Sequence, residues 1–395
     1  MRESRLRQGG ANLFQEIKEV CKKAEAAGQE LYRLSIGQPT GPALESARQA
    51  SSEAVLSDKE SMHEYQDNGT PGIPDFARRF IQCHVKSDLA KHGDEVVCLP
   101  IPGIKPMLGL VQLACGPERL VVDASGYPTP GDQAEYLLYP HTILPLSKEN
   151  NFLVNSKWIK TFERSVYGFA GMLVMMNYPH NPSGQIMTRI RLEDLCGFCQ
   201  DYSIRIFNDA AYAILAHSEQ HCTLTDVAVY FPDLSWAEAF SASKAGNFTG
   251  WRIGAMAGSP DFIGDIAKIK GNTDSGLAAP LAAGVIHTFE NDREGIENVR
   301  RTYEFRLGML IDCLTKHGMK LAVEPGAGFF TLWQTPKHAF SQTIESAEQF
   351  NYLMIKKTGI VGVHFEPYVR YAVCGPIEEW LGHIERSFTE ARISY

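Results

Sequence analysis

Hydrophobic positions along the 395-residue chain change period in a regular way. Leu13, Ile17, Val20 and Ala24 recur at helical spacing and Gly28 supplies a stop, so the pattern predicts an amphipathic helix over 11–28. Short apolar runs then alternate with helical stretches: EVVCLPI (95–101), LVVDAS (120–125), GMLVMMN (171–177), IRIFND (204–209), AEAFSAS (237–243) and IGAMAG (253–258). Several of these runs are unbroken, as expected of strands covered by helices on both faces. The alternation continues to about residue 290 and predicts an α/β fold with a mostly parallel sheet. Helical patterns at 291–318 and 339–358 follow, with two short extended pieces, GFFTLW (328–333) and VRYAV (369–373). A closing helix aligns Ile377, Leu381, Ile384 and Phe388 on one face. The pattern divides into a large domain over 41–294 and a smaller α+β domain built from 1–40 and 295–395.

Composition narrows the function classes. With 38 Lys+Arg against 46 Asp+Glu, the net charge is −8, so no general basic field is available for nucleic acid or anionic lipid. Apolar runs such as MLVMM (172–176) fall far short of the roughly 20 residues a membrane span requires. The first residues, MRESRLRQGGAN, are charged and lack the apolar core of a secretory signal. Nine cysteines, an odd number, do not read as a disulfide framework; reduced thiols and a cytoplasmic location are the expectation. Cys196 and Cys199 have CxxC spacing, but Leu192 and Leu195 continue their helical period, so they read as a buried helix face. His217 and His221, followed by Cys222, lack a further ligand nearby and read as surface histidines. No metal site is expected from either group.

The candidate chemistry collects at strand ends, where open α/β sheets place ligands. GMLVMMN is followed by Tyr178-Pro179-His180-Asn181-Pro182-Ser183-Gly184, an extended loop stiffened by two prolines. IRIFN is followed by Asp209-Ala210-Ala211-Tyr212, and an aspartate ending an apolar strand needs a cationic partner if buried. AEAF is followed by Ser241-Ala242-Ser243-Lys244, then Gly246, Gly250, Arg252 and Gly254, a cluster of donors suited to an anion. Taken singly, NPSG is a turn, Asp209 a helix cap, and Lys244 with Arg252 a solvated face. Their order and spacing carry more than any one of them.

That order resembles the fold-type I pyridoxal-phosphate enzymes, specifically the class I/II aminotransferases related to aspartate aminotransferase. NYPHNPSG is similar to the family's N-x-P-x-N-P-T-G loop, with Ser183 in place of Thr; DAAY is similar to D-x-x-Y; SASKAGNFTGWRIG is similar to S-x-S-K-x(5)-G-x-R-x-G. LSIGQP (34–39), YQDNGTPG (65–72), PGIK (102–105), SGYPTP (125–130) and YVRYAV (368–373) extend the likeness over nearly the whole chain. The resemblance implies a seven-stranded-type sheet in the large domain and pyridoxal 5'-phosphate as cofactor. It implies a ping-pong, aldimine-based transfer of an L-amino acid's α-amino group to a 2-oxo acid. Lys244 would bond to the cofactor aldehyde and then shuttle protons, and Asp209 would keep the ring nitrogen protonated. Asn181 and Tyr212 would contact the ring oxygen, and Tyr127 would stack on the ring. Ser241, Ser243, Arg252 and the backbone of Gly103, Ile104 and Lys105 would hold the phosphate. Tyr65 would reach the phosphate of a partner subunit, making a homodimer with shared active sites. Arg370, with Gly37 and Asn181, would hold the substrate α-carboxylate.

Two departures concern substrate choice. GIVGVHFEPYVR is shorter than the family's usual segment before the last arginine and lacks P-G-x-x-F-G. Where some dicarboxylate-specific members carry a second arginine, this chain has Ala278 within SGLAAPLAAG. Other reactions on the same cofactor (C–S lysis, decarboxylation, cyclisation) start from the same groups and form the main alternative. A serine acyl-enzyme using Ser241 and Lys244, with KTG at 357–359, is the remote one, since 245–356 contains no S-D-N or Y-x-N element.

Overall fold

The computed structural model describes residues 13–123, 126–161, 169 and 171–395. The charged N-terminus, the start of the predicted first helix, and Ala124 and Ser125 of the LVVDAS and SGYPTP stretches lie outside the described residues. By contact the chain divides into two units. One takes the described residues of Met1–Thr40, Asn181–Gln185 and Arg301–Tyr395, and the other takes Gly41–His180 and Ile186–Arg300.

The larger unit is built on seven strands: β1 (Val97–Ile101), β2 (Arg119–Asp123), β3 (His141–Leu144), β4 (Met172–Met176), β5 (Arg205–Asp209), β6 (Trp236–Ser241) and β7 (Gly254–Gly258). Their order is β1-β7-β6-β5-β4-β2-β3. The pairs from β3 through β6 are parallel, while β7 runs antiparallel to both β1 and β6. Leu120, Val122, Leu173, Met175, Phe207, Ala237, Ala239 and Met256 pack with helices Ile104–Cys115 and Pro260–Lys270. Alternate residues Val121, Val174, Met176 and Ile206 are buried as well. Both faces are therefore covered, which is why these runs show no polar alternation.

The smaller unit holds a four-stranded sheet, every pair antiparallel, from β8 (Leu321–Val323), β9 (Phe330–Gln334), β12 (Val363–Phe365) and β13 (Tyr368–Ala372), ordered β12-β13-β9-β8. Helix Leu13–Ala26 belongs to this unit, its Ile17, Cys21 and Ala24 packing with Ile355, Val361 and Val363. The helical pattern at 339–358 forms a helix only over Ala347–Thr358. Before it, β10 (His338–Ala339) and β11 (Gln342–Thr343) make a small hairpin, because Phe340 and Ser341 take the left-handed φ values of 52° and 59° that a tight turn requires. β3 escaped the sequence pattern because it is a four-residue strand with mixed exposure. β8 and β12 escaped it because three residues carry no readable period. Among the described residues no helix is long and apolar enough to cross a membrane.

Candidate active site

In the larger unit, neighbouring strands β5 and β6 deliver the expected groups at their ends. Asp209 closes β5 and is buried; its Oδ1 accepts the Ala211 N–H at 3.1 Å, and its own carbonyl accepts from Asn177 Nδ2 at 2.8 Å. Burial pushes its carboxyl up to about 6, against the opposing pull of the Ala211 N–H and the nearby Lys244 charge. Such an acid accepts a buried cation readily. Lys244 ends the single 3-10 turn that follows β6, and its Nζ lies 5.8 Å from the centre of the buried Tyr212 ring.

The anion-binding expectations converge on the same unit. Ser241 ends β6, and its Oγ accepts the Ser243 N–H at 3.1 Å. Thr249 Oγ1 donates to the Ser243 carbonyl at 3.2 Å, and Arg252 Nη1 donates to the Thr249 carbonyl at 3.1 Å. The loop thus ties the Ser241 hydroxyl, the Ser243 backbone and the Arg252 guanidinium into one chain of hydrogen bonds. Gly103 precedes helix Ile104–Cys115 with φ 77° and ψ 163°. A Cβ there would stand 2.5 Å from Arg252 Nη2, so the glycine lets the guanidinium close on the helix start. Lys105 Nζ lies 6.0 Å from the centre of the Tyr127 ring. This donor set fits pyridoxal phosphate. Hydroxyls, guanidinium and a helix N-terminus suit the phosphate, and a buried acid suits a protonated ring nitrogen. Tyr65 is 78 % exposed.

The smaller unit contains the other expected group. Arg370 sits mid-strand in β13, between Val363 of β12 and Leu332 of β9, and is 2 % exposed. Its Nη1 donates to Asn181 Oδ1 at 2.8 Å and its Nη2 to the Ser35 carbonyl at 2.9 Å. The guanidinium lies 4.3 Å from the Phe330 ring centre and 5.6 Å from that of Phe365. Gly37 is adjacent: a Cβ on it would sit 3.1 Å from the Phe330 ring and 3.9 Å from Arg370 Nη2. Asn181 therefore groups with Arg370.

Several supporting residues were not anticipated. Asn208 holds Tyr178 through both backbone groups, at 2.8 Å and 2.9 Å, and donates to Glu238 Oε1 at 2.7 Å. Glu238 is fully buried in β6 and also accepts from the Leu224 N–H, the Thr225 N–H and the Thr225 hydroxyl; burial pushes its carboxyl up to about 7. The signal available in the sequence was an acid inside an otherwise apolar strand, beside an asparagine in the neighbouring one. Ser35 left no signal, because it acts through its carbonyl.

Cys196 and Cys199 are buried on helix Arg189–Asp201, with the adjoining leucines. His221 is not the expected surface histidine. Both ring nitrogens are buried, and burial lowers its pKa to about 4. The segment folds back under Lys86, whose Nζ bonds the His221 carbonyl at 3.0 Å.

Comparison with known proteins places these observations in a family context. The model of the family "aminotransferase class I and II" matches residues 29–381. LL-diaminopimelate aminotransferase of Natranaerobius thermophilus is 26 % identical over 392 residues, covering 91 % of this chain and 92 % of that protein. LL-diaminopimelate aminotransferase 2 of Trichormus variabilis is 27 % identical over 401 residues, covering 97 % and 96 %. The crystal structure of aspartate aminotransferase from Rhizobium meliloti superposes with a TM-score of 0.85 at 19 % identity, covering all of both chains.

Proposed function

The chain belongs to the class I and II aminotransferases and is a pyridoxal-phosphate-dependent transaminase acting on amino and 2-oxo acids, and from that premise we propose how its own residues divide the work. The bound cofactor supplies a carbonyl for the substrate amine and a ring that spreads negative charge from Cα. Lys244 is the covalent anchor and the base that takes the proton from the substrate Cα and returns it. Asp209 keeps a proton on the ring nitrogen; this role rests on its burial beside Lys244 with a raised pKa, the observation that carries the proposal. Ser241, Ser243, Arg252 and the amides of Gly103, Ile104 and Lys105 hold the phosphate, while Tyr127 and Tyr212 orient the ring. Arg370, with Gly37 and Asn181, holds the α-carboxylate as a bidentate pair.

The donor is an L-amino acid without a strict preference for a distal carboxylate, since Ala278 stands where some dicarboxylate-specific members carry a second arginine. The relatives' names put LL-diaminopimelate first among the donors to test. The assembly in this reading is a homodimer, which gives the exposed Tyr65 a partner's phosphate to reach. Nine free cysteines fit a cytoplasmic setting.

Borohydride reduction of the cofactor-loaded enzyme, followed by peptide mapping, should place the pyridoxyl group on Lys244. A screen of LL-diaminopimelate, aspartate, alanine and an aromatic amino acid against 2-oxoglutarate should show turnover of alanine or the aromatic amino acid as well as of the dicarboxylates. A label on any other lysine overturns the assignment of Lys244, and turnover confined to aspartate and LL-diaminopimelate, which both carry a distal carboxylate, overturns the reading of Ala278.

A further inference from the structure

The smaller unit carries a second cluster of chemically competent side chains that transamination does not use. Helix Arg293–Lys316 ends where Cys313 and His317 lie one turn apart, a spacing that puts both on one helix face. Glu385, on helix Ile377–Ala391, completes the group. Each side chain offers one ligand atom, and the three atoms lie within 4.8 Å of one another.

The hydrogen bonds around His317 say what kind of ligand the cluster takes. Thr389 Oγ1 donates to the Glu385 carbonyl at 2.7 Å and stands 3.3 Å from His317 Nδ1. A hydroxyl has one hydrogen, already committed, so Thr389 accepts from Nδ1–H. That leaves the lone pair on Nε2, which is buried and has no hydrogen-bond partner. A histidine whose far nitrogen is anchored and whose near nitrogen keeps a lone pair has the arrangement of a metal ligand. Cys313, at 5 % exposure, adds a sulfur shielded from solvent.

We propose that Cys313, His317 and Glu385 bind a zinc-class divalent cation that ties the end of one helix to the C-terminal helix. A thiolate, an imidazole and a carboxylate form a mixed sulfur, nitrogen and oxygen set that suits zinc, whereas magnesium and calcium take oxygen ligands. On binding, the Cys313 thiol releases its proton to solvent and Sγ gives its electron pair to the metal. The two anionic ligands then balance the dication. Water fills the fourth position from the adjoining cleft of about 780 Å³, which His317, Glu385 and Thr389 line. Tetrahedral zinc sets its ligand atoms roughly 3.3–3.8 Å apart, so the cluster closes by about 1 Å through the partly exposed His317 and Glu385 side chains. Lys316 Nζ, 3.6 Å from Glu385, is 71 % exposed and yields the carboxylate at little cost.

Equilibrium dialysis of the cofactor-loaded, reduced enzyme against zinc, with metal analysis, tests the assignment. One zinc per chain is expected, and Cys313→Ser and Glu385→Gln should each weaken binding by about 100-fold or more, since outer-shell changes alone cost 10- to 100-fold. Both variants should transaminate normally without metal, which shows that they fold; if Cys313→Ser does not fold, the partly exposed Glu385→Gln decides. Zinc uptake that is equal in the wild type and Glu385→Gln, or absent from the wild type, overturns the proposal.

Discussion

The two charged residues that anchor the proposed chemistry, Asp209 in the larger unit and Arg370 in the smaller, are buried under opposite conditions. Arg370 is compensated by the protein itself: a side-chain amide, a backbone carbonyl and two aromatic rings surround its guanidinium. Asp209 is not; one N–H and a nearby amine leave burial as the larger effect, and its carboxyl is raised to about 6. A guanidinium met by two acceptors and two ring faces stays charged when buried, whereas a carboxyl met by a single N–H has its pKa raised until a cationic partner arrives. In the proposed reading the carboxylate grip is therefore preassembled, while the ring-nitrogen site would be completed by its cofactor.

The strongest challenge to this contrast is Asp209→Asn, expected to lower kcat on the order of 10²–10³-fold, as loss of one preorganised electrostatic group does. In the cofactor-free protein the same change should raise stability at neutral pH. A carboxyl whose pKa is higher when folded binds its proton more tightly in the native state, so stability is greatest below its unfolded value and falls as pH rises toward about 6. Glu238, raised to about 7, contributes a similar slope to both proteins. The difference between their thermal unfolding curves over roughly pH 4–6 isolates Asp209. Identical curves would mean that Asp209 is already paired.

Arg370→Ala comes next. A charge-assisted hydrogen-bonded contact contributes about 1.5–3 kcal/mol, so KM for the amino acid should rise roughly 10- to 150-fold, with a smaller change in kcat. A loss concentrated in kcat would break the comparison, because a preassembled grip acts on the bound substrate and the transition state alike.

Gly103→Ala sharpens the cofactor side with the smallest effect. The added Cβ meets the flexible end of Arg252, and the backbone φ of 77° disfavours any side chain. A cost of about 1–2 kcal/mol should weaken cofactor binding about tenfold while the saturated enzyme keeps its turnover. Fluorescence titration of the cofactor-free protein measures it, and unchanged affinity removes Gly103 and Arg252 from the phosphate site.

Much of this molecule was legible in the order of its residues. Six of the seven strands of the large sheet stood out as apolar runs, because a strand covered on both faces must be apolar throughout. Asp209, Ser241, Ser243 and Lys244 stood out because strand ends are where polar residues interrupt such runs. The edge strand β3 and the three-residue strands β8 and β12 were invisible, being too short to carry a period.

The local sequence determined the alternation of strand and helix, the positions of the polar breaks and the grouping of donors between 241 and 254. All of these are set by neighbours along the chain, where periodicity and turn chemistry act. Only the tertiary structure decided that Asn181 meets Arg370 across 189 positions, or that the Ser35 carbonyl closes on the same guanidinium. It likewise decided that Glu238 is buried with Asn208 and that Glu385 joins Cys313 and His317. Such pairings depend on which faces pack together once the apolar surface is buried. No spacing along the chain encodes that choice, because it belongs to the packed whole.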